Sequence, residues 1–282
     1  MLSPFPVGPL CPLRNALCLI LLFNRQTGQT GSTGQLNDMI ELKDLTKKYG
    51  EFTAVNDLNL YVKKGEVFGF IGPNGAGKTT TIKMMGGILE PTRGMVKIAG
   101  INMREEPEKA KSKIGFIPDR PYLYEKLTGT EFLRFTADLY GVSEEKFEPT
   151  ALKILKDFSL AEWADELVES YSHGMKQRLI MSAALLHDPE VIIVDEPMVG
   201  LDPAAIMMVK RLFRKLAEQG VTVFMSTHTL KVAEETCDRI GVINKGRLIA
   251  MGTTTELQRD ANITEADLER VFLNLTNNTS PN

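Results

Sequence analysis

The sequence predicts an α/β fold built on a mainly parallel sheet, and three observations predict it. EVFGFI (66–71) is a continuous apolar run, as a strand buried on both faces requires. After residue 190 the runs VIIV (191–194), VTVFM (221–225) and RIGVI (239–243) return with helical segments between them, the alternation that sets parallel strands side by side. Between these regions, residues 128–186 read as helices with few strand candidates, so a helical insert interrupts the alternation.

The elements follow in order. Residues 1–38 stand apart: apolar ALCLILLF (16–23) is followed by polar TGQTGSTGQLND. Eight residues are too few to span a membrane. Arg14 precedes the run as in a signal peptide, but no small-residue cleavage site follows it. The expectation is an extension without fixed structure, or one upstream of a start at Met39. IELKDL and AVNDLNLYV then alternate as half-exposed strands do, and TTTIKMMGGIL after EVFGFI reads as a helix. MVKIAG and KIGFIP add two short strands, and MREEPEKAKSK between them reads as a solvated face. Thr128 and Glu131 form a capping box ahead of FLRFTADLY, whose Phe132, Phe135 and Leu139 share one helical face. ITEADLERVFLNL closes the chain as an amphipathic tail helix.

Composition narrows the function. With 24% charged residues and a net charge of −3, there is no global basic field of the kind nucleic-acid binding needs. Cys11, Cys18 and Cys237 are scattered, which fits neither a disulfide framework nor a zinc site and points to a reducing cytoplasm. No other stretch is long enough for a membrane span.

GPNGAGKT (72–79) fits the phosphate-binding loop G-x-x-x-x-G-K-[ST], preceded by a buried strand and followed by a helix. The loop comprises Gly72, Pro73, Asn74, Gly75, Ala76, Gly77, Lys78 and Thr79, with Thr80 next in the helix. Its glycines let backbone N–H groups turn toward phosphate oxygens, Lys78 neutralises the β and γ phosphates, and the Thr79 hydroxyl suits Mg²⁺. VIIVDEP ends a buried strand in two carboxylates. Asp195 suits the Mg²⁺ hydration shell, and Glu196 suits a base that orients or deprotonates an attacking water. His228 in STHTL lies where another strand meets a helix. A second anion site is written in YSHGMKQR (171–178), where serine and glycine precede a helical run and leave its first N–H groups unpaired.

Together these motifs resemble the nucleotide-binding subunit of ATP-binding cassette (ABC) transporters over residues 39–251. YSHGMKQRL resembles the family signature, with Ser172 and Gly174 retained; GLDP (200–203), which contains Asp202, resembles the D-loop. His228 matches the switch histidine, and Tyr49 in LTKKYG the aromatic that stacks on adenine. The resemblance implies a P-loop NTPase core, an N-terminal antiparallel β subdomain and a helical signature subdomain at about 120–186. It places the ATP-binding domain at 39–255 and a helical tail at 256–282. It further implies ATP and Mg²⁺, and head-to-tail pairing with a second, most simply identical, cassette. In that pairing each ATP lies between one P-loop and the other chain's signature. The remaining partner is an integral membrane permease encoded separately, at the cytoplasmic face of the cell membrane.

Three residues depart from the family pattern. Asp119 stands where the Q-loop glutamine is expected; it can reach Mg²⁺ but repels a γ-phosphate. His173 replaces a glycine and Met175 a glutamine within the signature, while Gly174, the amide donor that needs close approach, survives. The S-x-G-M-K-Q-R signature, EPMVGLDP and the tail LERVFLNLT resemble export-type members handling drugs or polysaccharides. The alternative is a non-transport ABC ATPase serving cofactor assembly or regulation.

Overall fold

The computed structural model describes residues 38–119, 122–260 and Phe272. The expected N-terminal extension and the tail helix at 263–275 lie outside the described residues, Asp38 and Phe272 apart.

Two sheets organise the described chain. Strands β1 (Asp38–Tyr49) and β2 (Phe52–Lys63) form a long antiparallel hairpin, closed by Gly50 at φ 57°. β4 (Arg93–Ile98) pairs antiparallel with β1, and β5 (Ile101–Asn102) with β4, giving the order β2-β1-β4-β5. This is the expected antiparallel N-terminal unit. The second sheet runs β10-β9-β3-β8-β7-β6, with β3 (Val67–Ile71), β6 (Ile114–Ile117), β7 (Val191–Asp195), β8 (Thr222–Thr227) and β9 (Arg239–Asn244) parallel. Strand β10 (Arg247–Gly252) joins β9 antiparallel.

Alternation along the buried strands explains why their sequences show no polar face. In β7, Val191 and Ile193 enter one apolar cluster, shared with the first sheet, Phe68, Phe70 and Phe224. Ile192 and Val194 enter the other, shared with Val223, Met225 and the helices. A strand that buries both faces has no position left for a polar residue, so period two is erased.

Helix α1 (Lys78–Met85) follows β3 and packs beneath β7 and β4. The short α2 (Pro107–Lys111) lies in the charged stretch, of which only Met103 and Ala110 are buried, as the solvated-face reading expects. The helical region comprises α3 (Gly129–Leu139), α4 (Glu144–Asp157) and α5 (His173–Leu185), with two 3₁₀ turns before α5. Helix α3 starts at the expected capping box: Glu131 N–H donates to Thr128 Oγ1 at 3.1 Å, and Thr128 N–H to Glu131 Oε2 at 2.8 Å. Its inward face differs from expectation. Phe132 is buried, but with Gly129, Leu133 and Ala137, while Phe135 and Leu139 are exposed. Small residues decide this: Gly129 lets the Tyr171 ring approach so closely that a Cβ would lie 2.4 Å from its Oη. Phe135 instead meets Tyr124 edge-on at 5.1 Å.

Two further helices flank the late strands, α6 (Pro203–Glu218) and α7 (Leu230–Thr236), and α8 (Thr254–Asp260) follows β10. Strand β10 went unread in the sequence, and α8 overlaps the first residues of the span expected as a helical tail at 256–282. The β9–β10 turn is Lys245-Gly246, at φ 47° and 76°, a two-residue turn with both central residues left-handed. Lysine in place of the usual Asn or Asp hid that signal. Helix α8 carries its own signature: Thr253 Oγ1 accepts from Glu256 N–H at 3.2 Å, and Glu256 Oε2 from Thr253 N–H at 2.7 Å.

Candidate functional site

Register gathers the chemistry on one edge. Ile71 of β3 pairs with Thr227 of β8, and Ser226 of β8 with Asp195 of β7. The phosphate-binding loop, His228 and Glu196 therefore leave three adjacent parallel strands at the same level, where open α/β sheets bind ligands. The β6–β7 ladder ends at Ile117 opposite Val194, so Asp119 leaves the sheet at the level of Glu196. Asp119 is exposed.

The loop is shaped by close backbone approach. A Cβ on Gly72 would lie 2.4 Å from Ile243 O, and one on Gly77 2.6 Å from Ala54 O; Gly77 also sits at φ 109°, where side chains are strained. Gly75, at φ 77°, faces open space. Ala76 N–H donates to Pro73 O at 3.1 Å, closing a turn, while Pro73, Asn74 and Gly75 are exposed. Gly77 then serves as the N-cap of α1, whose first amides carry the positive end of the helix dipole. Lys78 is buried and folds back on this loop, donating to Gly72 O at 2.7 Å and Pro73 O at 3.3 Å. Burial pulls its ammonium below the ordinary lysine range, while the charges of Glu196 and Asp195 act the other way. An incoming phosphate would replace carbonyl dipoles with full negative charge and raise that pKa again. Thr79 is exposed and Thr80 half-exposed.

Across the edge, Asp195 is buried and accepts a short hydrogen bond from Ser226 Oγ. Glu196 has φ 52°, an uncommon conformation for a side chain this long. Its N–H donates to Ser226 O at 3.2 Å, and its Oε1 lies 2.9 Å from His228 Nδ1. The left-handed turn aims the carboxylate at the histidine. Ser226 was missed in the sequence, although a polar residue just after VTVFM, buried on a central strand, signals a buried polar partner.

Other expected residues sit on other elements. Tyr49, exposed at the end of β1, has the Lys47 ammonium 5.4 Å from its ring centroid. Ser172 is the N-cap of α5, its Oγ accepting from Met175 N–H at 3.3 Å. Ser172 and His173 are exposed, Gly174 and Met175 half-exposed. Asp202 caps α6 through Ala205 N–H at 2.8 Å.

A strand-edge phosphate loop backed by a second acidic strand and an intervening one defines a P-loop nucleotide-binding fold. The ABC transporter family model matches residues 55–199, and the chain belongs to that family. It is 40% identical over 219 residues to the linearmycin resistance ATP-binding protein LnrL of Bacillus subtilis (strain 168), covering 78% of this chain and 70% of that protein. The solved structure of an ATP-binding subunit of an ABC transporter superposes with TM-score 0.80 at 36% identity, over 84% of this chain and 99% of that one. The ATP-binding cassette MJ0796, solved as a dimer in a post-hydrolysis state with ADP and Pi, gives TM-score 0.70 at 31% identity, over 76% of this chain and 98% of that one. This chain is an ATP-hydrolysing nucleotide-binding component of an ABC transporter.

Proposed function

We propose that the chain pairs head to tail with a second, identical cassette around two ATP molecules and drives a separately encoded membrane permease in the export direction. The observation that carries the pairing is a second anion-suited helix start on a different element from the P-loop. The P-loop, Asp195, Glu196 and His228 leave adjacent strands, whereas Ser172 caps α5, whose far end is anchored on β6. At its far end, a Cβ on Gly115 of β6 would lie 2.6 Å from Ala184 O, and His187 Nε2 lies 3.0 Å from Ile114 O. Thirteen helical residues put Ser172 about 20 Å from that anchor. An exposed, capped helix start suits the γ-phosphate held by another chain. The dimeric neighbour structure supports the same arrangement.

The residues present fit ATP and Mg²⁺. Thr79 and Asp195 offer the hard oxygen donors a Mg²⁺ ion takes, beside a buried lysine that matches polyphosphate charge. Bound there, the ion would offset phosphate charge. The chain's own residues do the rest. Tyr49 offers a ring for adenine. Lys78 transfers its N–H bonds from Gly72 and Pro73 carbonyls to phosphate oxygens. Glu196 accepts a proton from the attacking water, and His228 orients Glu196 and meets the γ-phosphate. In the second chain's site, Ser172 and the Gly174 and Met175 amides close on the same phosphate, with Asp202 nearby on the D-loop.

No helix of the described residues is long and apolar enough to cross a membrane, which accords with a peripheral subunit at the cytoplasmic face. The permease contact is supported by Tyr122 and Tyr124, both exposed, and Phe135, just beyond Asp119, since exposed aromatic groups favour protein interfaces. The relative named for linearmycin resistance favours the export direction.

The test uses light scattering. Glu196→Gln is expected to bind Mg-ATP, hydrolyse it at least about 100-fold more slowly and accumulate as a dimer, because binding then outlasts turnover. Adding Ser172→Arg should abolish the dimer while nucleotide still binds the monomer. Persistence of the ATP dimer in the double variant would overturn the assignment of Ser172 to the second chain's nucleotide.

A further inference from the structure

The signature helix touches the loop that leaves Glu196. A Cβ on Gly200 would lie 2.6 Å from both Cδ2 and Nε2 of His173, so the imidazole rests directly on the Gly200 backbone. Beside it, a Cβ on Gly174 would lie 3.9 Å from Leu201 Cδ2. Both contacts join the first turn of α5 to residues 200–201 within one chain. The first is not available to a signature carrying glycine at 173, which has no side chain to reach Gly200.

The loop these contacts reach is short and built of turns. From Glu196 at φ 52°, Val199 N–H donates back to Glu196 O at 3.3 Å, and Leu201 N–H to Met198 O at 3.4 Å. Gly200 turns the chain at φ 76°, and Asp202 then caps α6. Consecutive hydrogen-bonded turns, with Glu196 on His228 at one end and the Asp202 cap at the other, leave few residues between Gly200 and Glu196. A push on Gly200 therefore reaches Glu196 within four residues, and Glu196 holds His228.

We infer that His173 is a positioning residue that links the two nucleotide sites of the dimer through Gly200. The inference rests on the head-to-tail reading, under which Ser172 and Glu196 of one chain serve different ATP molecules. When the second chain's γ-phosphate orders the start of α5, the His173 ring presses the 196–202 loop into the geometry that aims Glu196 in its own site. Occupancy of one site then raises turnover at the other, which is a coupling free energy between sites.

The experiment is ATP hydrolysis by the purified full chain as a function of Mg-ATP, with His173→Gly, Gly200→Ala and the double variant. The parent should show a Hill coefficient approaching about 2 and His173→Gly one near about 1, since removing the link leaves two independent sites. Gly200→Ala forces a methyl into the ring and also strains the backbone at φ 76°, and should lower kcat by about tenfold. The double variant should recover at least about threefold of that loss, because contacting residues give non-additive effects. A Hill coefficient unchanged in His173→Gly, or a double variant no better than Gly200→Ala, overturns the inference. The Glu196→Gln background separates this from failure of the pairing itself. If His173→Gly in that background still forms the ATP dimer while the Hill coefficient of His173→Gly with Glu196 intact is unaltered, only the link falls. Absence of any ATP dimer from Glu196→Gln alone removes the head-to-tail reading and the link with it.

Discussion

His187 shows how far one residue's chemistry extends beyond the nucleotide edge. Its ring stacks on Tyr140, centroids 3.7 Å apart, and Nε2 lies 3.0 Å from the Ile114 carbonyl. A carbonyl only accepts, so Nε2 carries the proton, and buried Nδ1 has no hydrogen-bond partner. Protonating Nδ1 would leave an N–H with no acceptor. Burial lowers the pKa, the Ile114 bond and Asp188 raise it in part, and Lys146 lowers it further. Because the folded value lies below the unfolded one, the full stability is present above about pH 6.5. It is lost as pH falls, since the unfolded chain takes the proton first. Urea unfolding midpoints should therefore drop between about pH 7.5 and about pH 5.5, and less steeply in His187→Gln. Identical pH dependence in both proteins would show that His187 does not titrate out of register with the unfolded chain. The residue matters because it ties the end of α5 to β6, the strand that delivers Asp119.

At the scale of the element, caps were legible and faces were not. Thr128 and Glu131 marked the start of α3 because a capping box is written in two residues three apart, and local hydrogen bonds need no tertiary context. Thr128→Ala removes one side of that box and should cost about 1 kcal/mol in denaturant unfolding; Thr128→Ser should recover most of it. Equal midpoints for the parent and the alanine variant would mean that packing alone holds the helix start. The buried face of α3 depended on what approached it, and Tyr171 comes in over Gly129 from 42 residues further on. No periodicity within 132–139 contains that fact. Strand β10 failed for the opposite reason, a local signal in unusual letters: Lys245 occupies a left-handed turn position that Asn or Asp ordinarily marks.

For the whole molecule, the nucleotide site was legible because phosphate chemistry imposes fixed residue types at fixed spacings, which survive in GPNGAGKT and VIIVDEP. What stayed hidden were contacts between distant segments: Ser226 on Asp195, His173 on Gly200, and the exposed aromatics beyond Asp119. These last make a prediction about assembly. Glu196→Gln isolated with Mg-ATP from its native membranes in mild detergent should bring down a multi-span membrane protein. Changing Tyr122 and Tyr124 together to serine should weaken that recovery several-fold without altering the ATP dimer. Reproducible recovery of soluble proteins alone would replace the permease reading with a non-transport one.

The position of β3 carries a consequence for biosynthesis. The strand that launches the phosphate loop lies between β8 and β9, and Val67 N–H donates to Asp238, 171 residues away. On the ribosome, Val67–Ile71 emerges with both edges open, and neither lateral neighbour exists until most of the chain has been made. An apolar strand with two bare edges is what chaperones retain and what aggregates form around. The first sheet, by contrast, lies wholly within residues 38–102 and can close long before β8 and β9 emerge. Nucleotide capture is thus a late event in the life of each molecule, and a truncated nascent chain ending before β8 would carry an intact GPNGAGKT and lack both strands that flank β3.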